Sequence, residues 1–334
     1  MSTPVTIAQL ELPVPWLGSV NVWLLEGEPL TLVDTGPSNP RAAAALDDAL
    51  ARLGYAVEDI ELMLVTHHHL DHSGLAGAIR ARSGARVATH RTAAEWGRDY
   101  HRRVTDERRF TERLLAAHGV PSERIAATAP FFDYIATDSA DYETDIVLAD
   151  GDTIVAGGRT LRVVHRPGHS TSDTLFVDED SDEAFVGDHL LAEITTGAEI
   201  MPTELPGRER RRSLLEYLGN LRKTEAMRLS ICYPGHGPTI DDHRELIRAR
   251  LDFHAERLEH IERLVADGST TAFEIARLLW SDEVAETQPV LVVWEVLGHL
   301  DILVNRGTVR EHVDADGRHR FAPKEAISVA AGQN

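Results

Sequence analysis

The spacing of apolar and polar residues predicts alternating strands and helices along most of the first 240 residues. Apolar residues over 20–25 and 30–33 flank the turn-forming sequence Gly27-Glu28-Pro29, which indicates a β-hairpin. The elements predicted next are a helix over 40–53, a strand over 60–65, a helix over 75–82 and a strand over 85–90. This strand–helix–strand alternation is typical of α/β proteins.

Residues 92–142 interrupt the alternation with a helical pattern rich in Arg, Glu and Ala. We interpret them as a helical insertion that either covers a site or is an excursion without function. The strands predicted after it, which we expect to form a second sheet, are 145–148, 153–155, 159–164, 174–177 and 183–186. A helix over 210–223 and a strand over 229–233 complete this part of the chain.

The pattern changes again after residue 242. The predicted elements are helices over 243–267, 271–280 and 289–306 and a hairpin with strands over 308–313 and 319–322. Three helices followed by a β-hairpin are typical of a winged-helix domain. The sequence therefore predicts two domains, residues 1–242 with the insertion at about 92–142, and residues 243–334.

Composition narrows the expected partners to a small-molecule substrate. The formal net charge of −20 repels polyanions, which argues against nucleic acid. The helix over 289–306 is mostly apolar and carries Glu295 and Asp301, whereas a base-reading helix needs exposed basic or amide side chains. Such a helix is better suited to packing, and a homodimer or another oligomer is our hypothesis for the assembly.

Composition also bears on location. No apolar run is long enough to span a bilayer, so no membrane association is expected. The N-terminus lacks a basic region followed by an apolar one, and no secretory signal is predicted. The single cysteine, Cys232, excludes an intramolecular disulfide and favours the reducing cytoplasm.

Candidate chemistry is concentrated in residues 67–72, His-His-His-Leu-Asp-His, which directly follow the strand predicted over 60–65. Imidazole and carboxylate groups are ligands of zinc and similar divalent cations. Three more potential ligands, His169, Asp188 and His236, each stand beside a glycine after a predicted strand. Glycine lets the backbone turn sharply and approach a crowded centre. We therefore expect a metal site built from strand ends.

The motif order resembles that of the metallo-β-lactamase superfamily over roughly residues 15–240. The matching motifs are DTG (34–36), HHHLDH (67–72), PGHS (167–170), GDH (187–189) and PGHG (234–237). The complete ligand set is similar to that of the dinuclear hydrolases, such as glyoxalase II, and the tail resembles the winged-helix appendage of the lactamase-beta-2-like subgroup. The resemblance implies an α/β fold, the four-layer αββα sandwich.

The resemblance also implies the ligands of two divalent ions, with zinc expected and manganese or iron as alternatives. The two sets are His67, His69 and His169 for one ion and Asp71, His72 and His236 for the other, with Asp188 bridging them. Asp71 would also orient the nucleophile and accept its proton. Asp34 would not touch metal but would orient a ligand histidine or the histidine turn.

These ligands imply a metallo-hydrolase in which a hydroxide generated at the metals attacks a small ester, thioester or lactone. Two alternatives stay open. The same centre can cleave a phosphodiester, as in the endoribonucleases that share the winged-helix tail, and this predicts salt-dependent RNA binding. The other alternative is a non-hydrolytic metalloenzyme resembling the persulfide dioxygenases, although these use only part of the ligand set.

Overall fold

The structure is a computed structural model that describes residues 6–15, 18–203, 210–266, 268 and 271–324. Within these ranges, no helix combines the length and the apolar character that crossing a bilayer requires. The chain divides into two compact units. The first consists of the chain up to Phe110 together with Ala129–Leu251, and the second of Thr111–Thr128 together with the chain from Asp252 onward.

The first unit contains a six-stranded sheet and a five-stranded sheet. The strands of the six-stranded sheet, in spatial order, are β1 (Thr6–Val14), β2 (Gly18–Glu26), β3 (Thr31–Val33), β4 (Leu62–Val65), β5 (Arg86–His90) and β6 (Ile146–Leu148). Strands β1 to β3 pair antiparallel, and β3 to β6 pair parallel. The predicted hairpin is confirmed as β2 and β3.

The five-stranded sheet has the spatial order β11-β10-β9-β8-β7. Its strands are β7 (Thr153–Ala156), β8 (Arg159–His165), β9 (Thr174–Asp178), β10 (Glu183–Gly187) and β11 (Ile231–Pro234). Only β10 and β11 pair parallel among the described strands of this sheet; the other pairs are antiparallel.

One prediction about strands was wrong, and one strand was missed. The strand predicted over 145–148 belongs to the first sheet, because β6 pairs with β5 and Asp145 N–H bonds the Val87 carbonyl at 2.9 Å. Strand β1 was not predicted, although its buried Leu10 and Leu12 alternate with the polar Gln9 and Glu11.

Helices complete both units. In chain order they are α1 (Pro40–Leu53), α2 (Leu70–Ser73), α3 (Ala76–Ser83), α4 (Arg91–Gly97), α5 (Tyr100–Ala117), α6 (Ser122–Ala126), α7 (Ala129–Thr137), α8 (Ser213–Glu225), α9 (His243–Ala266), α10 (Ala272–Leu279), α11 (Asp282–Thr287) and α12 (Pro289–Arg306), with a short 3-10 turn at Val57–Asp59.

Helix α1 shows how local sequence fixes an element. The Asn39 side chain accepts a hydrogen bond from Ala42 N–H at 2.9 Å, and Pro40 occupies the first turn. Gly54 ends the helix in the left-handed region at φ 86°. The buried Leu46 and Leu50 face the first sheet. The predicted bounds of this helix are confirmed.

The two sheets share one buried core. Trp23 and Leu64 of the first sheet belong to the same apolar cluster as Val163, Phe176 and Phe185 of the second. The other face of the first sheet packs against α1 and α3. On the second sheet's side, helix α8 is tied to the strand-end loops, with Asn220 Nδ2 donating to the Pro167 carbonyl at 2.6 Å. This α/β arrangement of sheets flanked by helices agrees with the predicted fold.

The second unit contains Thr111–Thr128, helices α10 to α12 and a hairpin of β12 (Val309–Val313) and β13 (His319–Pro323). Phe273 N–H donates to the His118 carbonyl at 3.2 Å, which ties the end of α5 to α10. The predicted domains instead place the boundary at residue 243 and leave 111–128 in the first domain; this division stays a prediction. Helix α11 was not predicted, because its six residues carry no full apolar face.

Candidate metal centre

Each predicted ligand lies shortly after the carboxyl end of a strand. Strand β4 leads into the histidine turn, β8 leads to His169, β10 to Asp188 and β11 to His236. The structure brings all seven predicted ligands together, although they come from both sheets. Polar groups at strand ends can converge in this way because the sheets supply a rigid base.

His67, His69 and His169 form one group, with donor atoms within 4.8 Å of one another. His69 Nδ1 lies 3.1 Å from His67 Nε2 and 2.9 Å from His169 Nε2. Nitrogen atoms at these separations can share one cation. The structure thus turns Nδ1 of His69, and Nε2 of the other two rings, toward a common point.

Asp71, His72 and His236 form the second group, also within 4.8 Å. Asp71 Oδ2 lies 3.3 Å from His236 Nε2 and 3.8 Å from His72 Nε2. Asp188 lies between the groups: its carboxylate is 3.4 Å from His72 Nε2, 3.5 Å from His236 Nε2 and 3.6 Å from His169 Nε2. One carboxylate therefore reaches histidines of both groups.

Hydrogen bonds from the outer ring nitrogens fix the orientation of four of these histidines. The outer pairs are His72 Nδ1 with Asp34 Oδ2 (2.8 Å), His169 Nδ1 with the Gly197 carbonyl (2.8 Å), His236 Nδ1 with the Ser19 carbonyl (2.6 Å) and His67 Nδ1 with the Thr66 hydroxyl (3.1 Å). Such contacts set the tautomer and direct the other nitrogen toward a metal. Asp34 lies where the sequence analysis expected an orienting carboxylate.

The donor set fits a cation. Among the described residues, the buried His72 Nε2 and Asp188 Oδ1 make no hydrogen bond, although they are only 3.4 Å apart. Buried polar atoms are normally satisfied, and a shared cation would satisfy both. Five imidazoles and two carboxylates are also the donors that zinc, manganese and iron accept.

The protonation state differs from one residue of the cluster to another. Burial lowers the pKa of His67 well below its ordinary value, and His72 and His69 lower it further, so this ring is neutral. Burial alone would raise the pKa of Asp71, but His72 and His236 outweigh it and hold the pKa at about 2. Burial alone would lower the pKa of His72 and His236, but Asp188 and Asp71 outweigh it and raise the pKa of His72 well above its ordinary value and that of His236 to about 9. Because divalent metals bind neutral imidazoles and ionised carboxylates, metal binding would displace a proton from each of these two rings.

Gly235 leaves the space that the side chains of Asp188 and His72 occupy. A Cβ on Gly235 would press against Asp188 Oδ1 and lie 2.5 Å from His72 Cε1. We therefore expect Gly235→Ala to displace both ligands and weaken the affinity for one cation about 10- to 100-fold, the range seen when ligand surroundings are disturbed. Metal titration of the variant measures this. Gly219→Ala is the matched control, because a Cβ there meets no atom within 4 Å. Equal affinities in the two variants would contradict the prediction.

The helical insertion packs against the histidine turn. Trp96 of α4 stacks on His68 with ring centroids 4.1 Å apart, and His68 Nδ1 lies 2.7 Å from Ser172 Oγ. Trp96 and Tyr100 share a buried apolar cluster with Leu70 of the turn. The insertion therefore forms an aromatic wall beside the ligands.

Sequence reasoning missed two buried acids near the centre. Glu107 of α5 is 6% exposed and Glu199, in the loop after β10, is 7% exposed. Glu199 Oε2 lies 3.6 Å from His69 Nε2. Neither residue belongs to a motif, and no local pattern of the sequence indicates their position.

Comparison with known proteins decides the family. Residues 15–236 match the model of the metallo-beta-lactamase superfamily, and residues 258–324 match that of the metallo-beta-lactamase-like C-terminal domain. The chain belongs to the metallo-β-lactamase superfamily. The superfamily and the α/β fold predicted from the motif order are confirmed.

Individual relatives in this superfamily agree. The probable metallo-hydrolase YqjP of Bacillus subtilis is 31% identical over 309 residues, covering 91% of this chain and 93% of YqjP. The atrochrysone carboxyl ACP thioesterase of Aspergillus fumigatus is 24% identical over 277 residues, covering 79% of this chain and 69% of that protein. The crystal structure of the metallo-beta-lactamase family protein TTHA1429 from Thermus thermophilus is similar with a TM-score of 0.77 at 30% identity, covering 95% of this chain and 98% of that chain. The hydrolase names agree with the predicted enzyme class.

Proposed function

We propose that this chain is a dinuclear metal-dependent hydrolase of the glyoxalase II-like type that cleaves small thioesters. The observation that carries the proposal is the position of Asp188, whose carboxylate lies within 3.6 Å of histidines from both ligand groups. The similarity to a thioesterase of Aspergillus fumigatus favours a thioester over the lactone and ester alternatives.

In the mechanism that we propose, the ligand residues named above would hold two cations. When bound, these supply Lewis acidity that makes a water molecule acidic enough to ionise near neutral pH and polarises the substrate carbonyl. Asp71 is ionised, because His72 and His236 outweigh the effect of burial and lower its pKa to about 2. The Asp71 carboxylate can therefore orient the attacking water and accept its proton.

The surroundings of the centre support a small organic substrate. Leu70, Trp96 and Met201 belong to a buried apolar cluster beside the turn that carries Asp71. Apolar walls with a few polar groups are typical of small-molecule sites, and an apolar acyl group fits such a wall. Zinc is the proposed metal because the donors are mainly imidazole nitrogens.

The second unit is part of the proposal as a winged-helix-like appendage, with a hairpin that follows the helices. The phosphodiesterase alternative has less support. Helix α12, which would have to enter a groove, is buried along Val293, Leu297 and Leu300. On the hairpin, Arg320 forms an ion pair with Asp314 at 2.5 Å.

We expect the purified protein to hydrolyse acyl thioesters, and removal of metal by a chelator to lower kcat/KM at least about 100-fold, because the ionised water and the carbonyl polarisation are lost together. Added zinc should restore the rate. Thiol release, followed with a chromogenic reagent, measures it, and lactones, aryl esters and single-stranded RNA are assayed in parallel. Turnover that a chelator leaves unchanged would overturn the proposal, and cleavage of RNA alone would favour the phosphodiesterase.

A further inference from the structure

One histidine of the centre lacks the arrangement that its neighbours share. The outer nitrogens of His67, His72, His169 and His236 each face a hydrogen-bonding oxygen within 3.1 Å. In His69 the inner atom is Nδ1, which lies 2.9 Å from His169 Nε2. Its outer atom is therefore Nε2, and the group that this atom faces decides how the ring is held.

The group facing His69 Nε2 is the carboxylate of Glu199, with Oε2 at 3.6 Å. Glu199 is 7% exposed, and its Oε2 makes no hydrogen bond among the described residues. A buried carboxylate oxygen that makes no hydrogen bond costs free energy. The approach of this oxygen to the His69 ring therefore favours His69 Nε2–H as its partner. The 3.6 Å separation is longer than a hydrogen bond, so the contact that we propose requires the two side chains to move closer together.

The fold holds Glu199 in this place from two sides. Glu199 N–H donates to the His169 carbonyl at 3.0 Å, and the nearby Gly197 carbonyl accepts from His169 Nδ1 at 2.8 Å. On the other side lies Glu107 of α5, itself 6% exposed. Burial and then the charge of Glu199 raise the pKa of Glu107 well above its ordinary value, so a protonated Glu107 carboxyl can donate to the Glu199 carboxylate. The loop after β10 and the insertion thus approach each other at Glu199, next to the group formed by His67, His69 and His169.

We propose that Glu199 is a positioning residue of the metal centre, whose Oε2 accepts a hydrogen bond from His69 Nε2–H and keeps Nδ1 turned toward His67 and His169. A carboxylate in this position also makes the imidazole more basic, which strengthens its bond to a metal. The contact with Glu107 helps to fix the position of the Glu199 carboxylate. The inference rests on the proposed metal centre, and it adds the insertion and the loop after β10 to the parts that determine metal affinity.

The test compares zinc affinity in three variants by competition with a chromophoric chelator. Glu199→Leu keeps the volume but removes the acceptor, and we expect it to weaken the affinity for one zinc ion about 10- to 100-fold. Glu199→Gln keeps an acceptor oxygen and should restore most of that affinity. Glu193→Leu, at an exposed position of the same loop, is the matched control and should bind as the wild type does.

A spectrum separates positioning from a general structural effect. With cobalt(II) in place of zinc, the visible absorption of one ion should change in Glu199→Leu and return in Glu199→Gln, while the thermal stability of the metal-free forms stays the same. If Glu199→Leu fails to fold, Glu199→Asp serves instead, since its shorter side chain withdraws the carboxylate from His69 and should lower the affinity.

The outcomes distinguish this inference from the proposed function. Wild-type zinc affinity and an unchanged cobalt spectrum in Glu199→Leu, or in Glu199→Asp where the leucine variant does not fold, would overturn the role of Glu199 and leave the hydrolase proposal intact. A wild-type protein that binds neither zinc nor cobalt and does not hydrolyse thioesters would overturn both.

Discussion

Replacing Asp71 with asparagine is expected to lower kcat for thioester hydrolysis about 10³-fold and to change KM little. Asparagine has the same shape but cannot accept a proton, and it loses the negative charge that lies 3.3 Å from His236 Nε2. The affected interaction is with the water that attacks, so the loss falls on the transition state and not on substrate binding.

Steady-state kinetics together with metal analysis measures this effect. The metal content is needed because Asp71 is also a proposed ligand, and a loss of metal would explain a lower rate without any proton transfer. Asp133→Asn is the matched control, since this carboxylate lies on α7 in the insertion and its side chain is 69% exposed. A fully loaded Asp71→Asn enzyme with nearly wild-type kcat would remove Asp71 from the proposed chemistry.

The convergence of the proposed ligands could be predicted because part of their signal is local. The histidine turn directly follows the buried strand β4, so a short stretch of sequence places four donors at one strand end. His169, Asp188 and His236 are each isolated in the sequence, and only their order and adjacent glycines connected them. Glu199 could not be found in this way. Its approach to His69 depends on the path of the loop after β10 and on the packing of α5, which are both long-range effects.

The elements of the fold also differ in how far the local sequence determines them. Helix α1 has its own caps and its own apolar face, so its sequence alone fixes its bounds. Strand β6 has an apolar pattern that fits either sheet, and its choice of β5 as neighbour depends on where the insertion returns the chain. Pairing partners are a tertiary property, and for this reason the strand was predicted correctly while its sheet was not.

Replacing Asp34 with alanine is expected to lower the free energy of unfolding by about 3 kcal/mol, the scale measured when one member of a buried charged network is removed. Asp34 is 1% exposed, and its two oxygens accept hydrogen bonds from Thr66 N–H, the Thr66 hydroxyl and His72 Nδ1, each at 2.8 Å. Denaturant unfolding of the metal-free protein measures the change, with Asp48→Ala on the exposed side of α1 as the control. An Asp34→Ala protein as stable as the wild type would show that this network contributes nothing.

Replacing Asp34 with asparagine separates two roles of this residue, namely its left-handed backbone conformation and the charge that its side chain places beside His72. Asp34 has φ 62°, a left-handed conformation that asparagine tolerates and alanine adopts at a cost of about 1–2 kcal/mol. The asparagine side chain would keep the backbone conformation and one acceptor oxygen, but its amide N–H₂ must face a donor, either Thr66 or His72. We therefore expect Asp34→Asn to be more stable than Asp34→Ala and still to bind zinc about 10- to 100-fold more weakly than the wild type, because His72 is no longer held by a carboxylate. Wild-type zinc affinity in Asp34→Asn would mean that the backbone conformation alone, and not the charge behind His72, is what the centre requires.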